Sequence, residues 1–155
     1  MIFERSRTAR FAGVIVLAAS AGLGAGCGGS SNPTTVTAPT GTLTTDTFNG
    51  TLNPPANGVF QANVHTFNIA TSGGNITITL VSAGPPPTIQ LGLGLGNPSS
   101  TGTCSIISGF TTQTAAGSTS QLGASGAPSG AYCVVVADVG NVLQPVSYTI
   151  TVAHL

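Results

Sequence analysis

From residue 45 to the C-terminus the apolar side chains recur at every second position, and no stretch there repeats at helical spacing. Asn75-Ile-Thr-Ile-Thr-Leu-Val81 is the clearest case, with Ile76, Ile78 and Leu80 on one face and Thr77 and Thr79 on the other. A chain with that period has to pair its backbone into sheets and bury one side of each. Further strands read at Thr45–Leu52, with Phe48 and Leu52 inward, at Thr88–Leu95 and at Pro145–Val152. Weaker strands read at Thr103–Phe110 and Ser118–Leu122. In Val59–Ala70, Phe60, Ala62 and Val64 share one parity while Phe67 and Ile69 share the other, which predicts a bulge near His65 and Thr66. Gly130–Ala137 is apolar on both parities and reads as a central strand, so a charge at Val135 is expected to abolish folding. Gly92 and Gly94 leave room for a close approach on the outer face of their strand. Turns at Asn53–Gly58, Ser72–Gly74, Gly84–Pro87 and Asp138–Asn141 separate these runs. Seven to nine short strands imply an all-β antiparallel sandwich.

The N-terminus is of another kind. Arg5, Arg7 and Arg10 precede an apolar run from Phe11 to Leu23, which is shorter than the about 20 residues of a membrane span. Small residues then lead to Cys27, the pattern of an export signal. Leu23-Gly24-Ala25-Gly26-Cys27 resembles a bacterial lipobox, which implies cleavage before Cys27 and acylation of that cysteine. Gly28 follows, where an inner-membrane retention signal typically has Asp, so an outer-membrane destination is implied. The expected organisation is a signal helix over residues 1–26, a lipidated N-terminus and flexible tether over 27–41, and the sandwich over 42–155. Gly, Ser, Pro and Thr dominate the tether.

Beyond the signal, composition excludes whole classes of function. Residues 27–155 hold no Lys or Arg, and their ionisable acids and imidazoles are Asp46, Asp138, His65 and His154 alone. Nucleic acids and nucleotides need cations beside their phosphates, so neither is expected as a partner. General acid–base chemistry needs neighbouring titratable groups, so neither an enzyme nor a cofactor is expected. Cys104 and Cys133 stand in an exported chain without a metal-ligand or redox spacing, which points to a disulfide.

Val64-His-Thr-Phe-Asn-Ile69, Gly74–Leu80, Ile89-Gln-Leu-Gly-Leu93, Gly130–Val136 and Ser147–Val152 together resemble the bacterial pre-peptidase C-terminal (PPC) domain over residues 46–153. The resemblance implies a jelly-roll-like β-sandwich and an accessory role. The acidic residues that family members often carry before the Leu-x-Leu strand are replaced here by Pro86-Pro87-Thr88.

Few residues are left to carry chemistry. Asp138 with Asn141 is a candidate calcium corner, set against an Asx-type turn that needs no metal. His65 is expected to face solvent and His154 to fray at the terminus. A metal-assisted hydrolase would need His65 beside Asp138. Phe60 and Phe110 are the aromatics expected at the surface and the candidate ligand contacts. The expected function is a non-catalytic cell-envelope lipoprotein, anchored in the membrane by its lipid, that presents the sandwich for binding or structural contacts to a glycan or an envelope protein. The alternative is a carbohydrate-binding accessory module for a separate secreted enzyme, which co-planar exposed aromatics would favour.

Overall fold

The computed structural model describes residues 40–155. The expected signal over residues 1–26, the expected lipidation at Cys27 and the expected tether as far as residue 39 lie outside the described residues. Eight strands follow: β1 (Thr44–Leu52), β2 (Ala62–Ile69), β3 (Gly74–Gly84), β4 (Gln90–Pro98), β5 (Cys104–Ala115), β6 (Leu122–Ala127), β7 (Gly130–Ala137) and β8 (Val146–His154). They form two four-stranded antiparallel sheets, ordered β1-β8-β3-β6 and β2-β7-β4-β5. Consecutive strands alternate between the sheets except at the β4–β5 hairpin, so this is the strand order of a jelly roll.

The core is the space between the two inner faces. Leu52, Ile76, Ile78, Leu80, Ile150 and Val152 enter it from the first sheet, and Phe67, Ile69, Leu91, Leu93, Val134 and Val136 from the second. The period-two reading of β3, β4 and β8 therefore holds, and β7 is an inner strand of its sheet. The connections β1–β2, β3–β4, β5–β6 and β7–β8 gather at one end of the sandwich. Thr40 and Leu155 lie at the other, because β1 begins where β8 ends, with Thr44 opposite His154.

Several expectations change. No bulge interrupts β2, whose register with β7 is unbroken from Ala62↔Ala137 to Ile69↔Gly130. Phe60 precedes the strand, and Ala62 and Val64 point outward, where Val64 sits opposite Val135 on a partly apolar outer face. The parity conflict in this stretch is resolved by exposing one apolar set, not by kinking the chain. The same geometry turns Val135 outward and half-buried, while its neighbours Val134 and Val136 are fully buried. The sixth strand is Leu122–Ala127 rather than Ser118–Leu122. The fifth extends to Ala115 and carries the main irregularity: Gly94 pairs with Thr111 but Gly96 with Ile106. Ile107-Ser-Gly-Phe110 is thus extruded opposite Leu95, with Gly109 at φ +85°, and Ile107 and Phe110 pack against the core.

The disulfide Cys104–Cys133 is formed, with its Cα atoms 5.9 Å apart. It joins β5 to β7 although β4 lies between them. Strands two places apart in a flat sheet would be roughly 9.5 Å apart, beyond the reach of a disulfide. The start of β5 must therefore fold over β4, and Gly96 is where it crosses. A Cβ at Gly96 would strike the Ser105 carbonyl and lie 3.0 Å from Cys104 Sγ. Gly94 makes similar room for Ile106, whose Cδ1 would be 2.8 Å from an added Cβ.

Two stability predictions result. Val134→Asp places an unpaired charge between the sheets and is expected to yield no folded protein. Val135→Asp, one residue on, is expected to remain soluble with a cooperative melt. Equal behaviour of the two in soluble yield and thermal denaturation would contradict the assigned faces of β7. Cys133→Ala is expected to cost about 3–4 kcal/mol, the loop-closure value for this sequence separation. Denaturant titration with and without reductant measures it, and reductant should leave the variant unchanged.

Candidate functional site

The described residues concentrate their ionisable side chains along one seam. β1 and β2 are edge strands of different sheets, and their inward side chains meet at the side of the sandwich. Asp46 and Phe48 come from β1, His65 and Phe67 from β2, and Tyr148 and His154 from β8 beside β1.

Two clusters form there. In the first, His65 Nε2 and the Tyr148 hydroxyl are 2.8 Å apart, and the imidazole stacks on Phe48 at 5.0 Å and 22°. Tyr148 reaches His65 because it lies opposite Gly50, and a Cβ on Gly50 would collide with the phenol ring. Asn63 Nδ2 donates to the Thr51 carbonyl at 3.1 Å and ties the same two edges together. Burial lowers the pKa of His65 and raises that of Tyr148. In the second cluster, His154 is buried with its ring 5.3 Å from Phe67, and Phe67 in turn stacks on Tyr132 at 5.9 Å. His154 Nε2 lies 3.0 Å from Asp46 Oδ2, and the Asp46 side chain is 38% exposed.

The seam corrects both histidine expectations. His65 faces inward, on the parity of Phe67, and does not face solvent. His154 does not fray: it closes β8 in pairing register with Thr44. The imidazoles are polar ends to apolar rows, His154 buried and His65 half-buried, and each finds a hydrogen-bonding partner there.

Asp138 is elsewhere, at the end of β7. It is 6% exposed, and its Oδ1 accepts from the N–H groups of Gly140 (2.8 Å), Asn141 (3.0 Å) and Val142 (3.2 Å). The Asn141 amide donates to the Gln90 carbonyl at 3.0 Å. This is the Asx-type turn: the carboxylate folds the β7–β8 connection around itself. Among the described residues no group of three or more His, Cys, Asp or Glu side chains is placed to hold a metal ion, so Asp138 and Asn141 gain no further such ligand. His65 is not beside Asp138. It pairs with Val134, four residues back along β7, or roughly 13 Å of strand.

Phe60 is 56% exposed and lies over Gly140 at the loop end of the sandwich. Phe110 is half-buried against the core in the β5 extrusion, not at the surface as expected. The two lie at opposite edges of the sheet, beside β2 and in β5, and form no co-planar pair.

Two grooves adjoin these features. One, of about 600 Å³, runs along the seam and is lined by Asp46, Phe48, Thr66, Phe67, Asn68 and His154 among others. The other, of about 470 Å³, lies on the outer face of the second sheet, where Gly92 and Gly94 lower the floor between Ile106, Val135 and Val139. No protein-family model matches the chain, and no curated protein matches it in sequence.

The lowered pKa of His65 has a definite consequence for stability. The unfolded chain binds a proton near the ordinary pKa of 6.5, and the folded chain binds it only at lower pH. The stabilisation tied to neutral His65 is complete above that value, declines as pH falls below it, and levels off beneath the folded pKa. Thermal melts of wild type and His65→Gln between pH 8 and pH 4 (about two units either side of the ordinary histidine value) should therefore diverge most at the alkaline end. A difference that does not change with pH would contradict an imidazole whose pKa partial burial lowers.

Proposed function

We propose that this chain is a non-catalytic cell-envelope lipoprotein whose sandwich serves as a binding or structural-contact module. One observation carries the reading: in the folded domain the few ionisable groups are spent on architecture. His65 is engaged by Tyr148, His154 by Asp46, and Asp138 by the backbone of its own turn. Neither imidazole is hydrogen-bonded to a serine, threonine or cysteine that it could activate, among the described residues. The jelly roll supports a PPC-like, accessory role. The lipobox-like Leu23–Cys27 supports attachment through Cys27, and Gly28 supports the outer membrane as the destination.

A second reading has its own support. The seam groove combines aromatic rings, a carboxylate and uncharged hydroxyl and amide groups. That mixture suits a carbohydrate-binding accessory module better than Phe60 and Phe110 do, since those two do not share a face.

Membrane attachment is tested by Cys27→Ser in the cell of origin. Wild type is expected in the detergent phase on phase partitioning and the variant in the aqueous phase. Equal partitioning would remove the lipid anchor from the proposal.

A further inference from the structure

We propose that the groove along the β1–β2 seam binds a neutral saccharide, with Asp46 as the group that accepts its hydroxyls. This rests on the carbohydrate-binding reading above. The groove, at about 600 Å³, is within the range of small-ligand sites. Its chemistry narrows the ligand. Residues 40–155 contain no Lys or Arg, so an anion would find no counter-charge. A purely apolar ligand would strip water from Thr66, Asn68 and Asp46 without replacing their hydrogen bonds. A sugar ring meets both demands, because it offers hydroxyls around its rim and C–H groups on its faces.

The side chains are arranged accordingly. Asp46 Oδ2 is held at 3.0 Å by His154 Nε2, and His154 is itself held buried against Phe67. The carboxylate is thus oriented before a ligand arrives, and its Oδ1 has no hydrogen-bond partner among the described residues. A hydroxyl donated to that oxygen forms a charge-assisted bond. Phe48, two residues along β1, is only partly buried and has His65 stacked on one face. It offers apolar surface beside the carboxylate, while Thr66 and Asn68 on β2 supply further donors and acceptors. His154 is a positioning residue in this scheme, and Asp46 is the contact.

The test is calorimetric titration of the full-length protein in detergent. The probes are cellohexaose, N-acetylchitohexaose and maltohexaose, with an uncharged Thr-Val octapeptide as the extended-chain comparison. At least one hexasaccharide is expected to bind and the peptide is not. Asp46→Asn keeps the side-chain shape and should weaken binding by about tenfold, as expected for losing a hydrogen bond to a charged group. Asn68→Ala should weaken it severalfold. Phe60→Ala, at the opposite end of the domain, should bind as wild type does. Melting curves of each variant show that the fold persists. Saccharide binding that survives both Asp46→Asn and Asn68→Ala would leave a carbohydrate module standing and overturn the seam as its site. No heat from any saccharide at millimolar concentration would overturn both. Binding of the octapeptide alone would make the seam a strand-docking edge instead.

Discussion

The inward row of β8 is the constraint on which the sandwich depends. Val146, Tyr148, Ile150, Val152 and His154 are all buried, and β8 lies between β1 and β3 in its sheet. The apolar members of the row do what any sandwich strand does. Tyr148 and His154 do more, because each ends in a polar atom that must be satisfied once water is gone. Tyr148 meets His65 across the gap on the opposing sheet, and His154 meets Asp46 on the neighbouring strand. These bonds are directional where apolar packing is not. They set where β1 and β2 come together, and a one-residue slip of β8 would face both side chains to solvent and leave His65 without its partner.

Much of this was legible in the chain, including some that the sequence reading passed over. Alternation located most strands and the inward set of β3, β4 and β8, and the pair of cysteines in a chain expected to be exported pointed to the disulfide. Parity also marked the seam: His154 continues the row of Val146 to Val152, Asp46 shares the side of Phe48, and His65 that of Phe67. Treating the histidines as surface residues, because imidazoles are polar, set that signal aside. What alternation cannot supply is adjacency. Nothing local says that β1 lies beside β8 or that its free edge meets β2, and those pairings bring Asp46 to His154 across a sequence separation of 108. The β5 extrusion was illegible for a related reason. Its apolar residues, Ile107 and Phe110, follow no single period, since they leave the ladder to cover the core.

The scarcity of charge raises the question of what keeps such a domain from pairing edge to edge, since sheets usually guard their edges with Lys or inward charges. Here the guard is partly mutual: β1 and β2 turn their side chains toward one another across the seam. The outer face of the first sheet is covered by hydroxyls. Thr47 lies opposite Thr151, Thr149 donates to Asn49 at 2.7 Å, and Thr51 contacts Ser147 at 3.4 Å. Such cross-strand polar pairs add modest stability each and keep a β-favouring, β-branched surface wet. At the other edge, the extrusion in β5 interrupts the run of ladder bonds that a neighbouring strand would need.

The two ends of the sandwich differ in the chemistry they present to solvent. Thr42, Thr44 and Leu155 line the seam groove, so it opens at the end where the chain enters the domain. The opposite end presents Val59, Phe60 and Leu143, the last 88% exposed, on connections that Asp138 and the Asn53–Gln61 bond (2.6 Å) hold in shape. The seam end thus gathers hydroxyl, amide and carboxylate groups beside aromatic rings, while the loop end sets exposed apolar side chains over a single buried carboxylate. Hydrogen-bonding groups at one end and bare apolar side chains at the other match ligands of different chemistry, so the two ends are not interchangeable as contact surfaces.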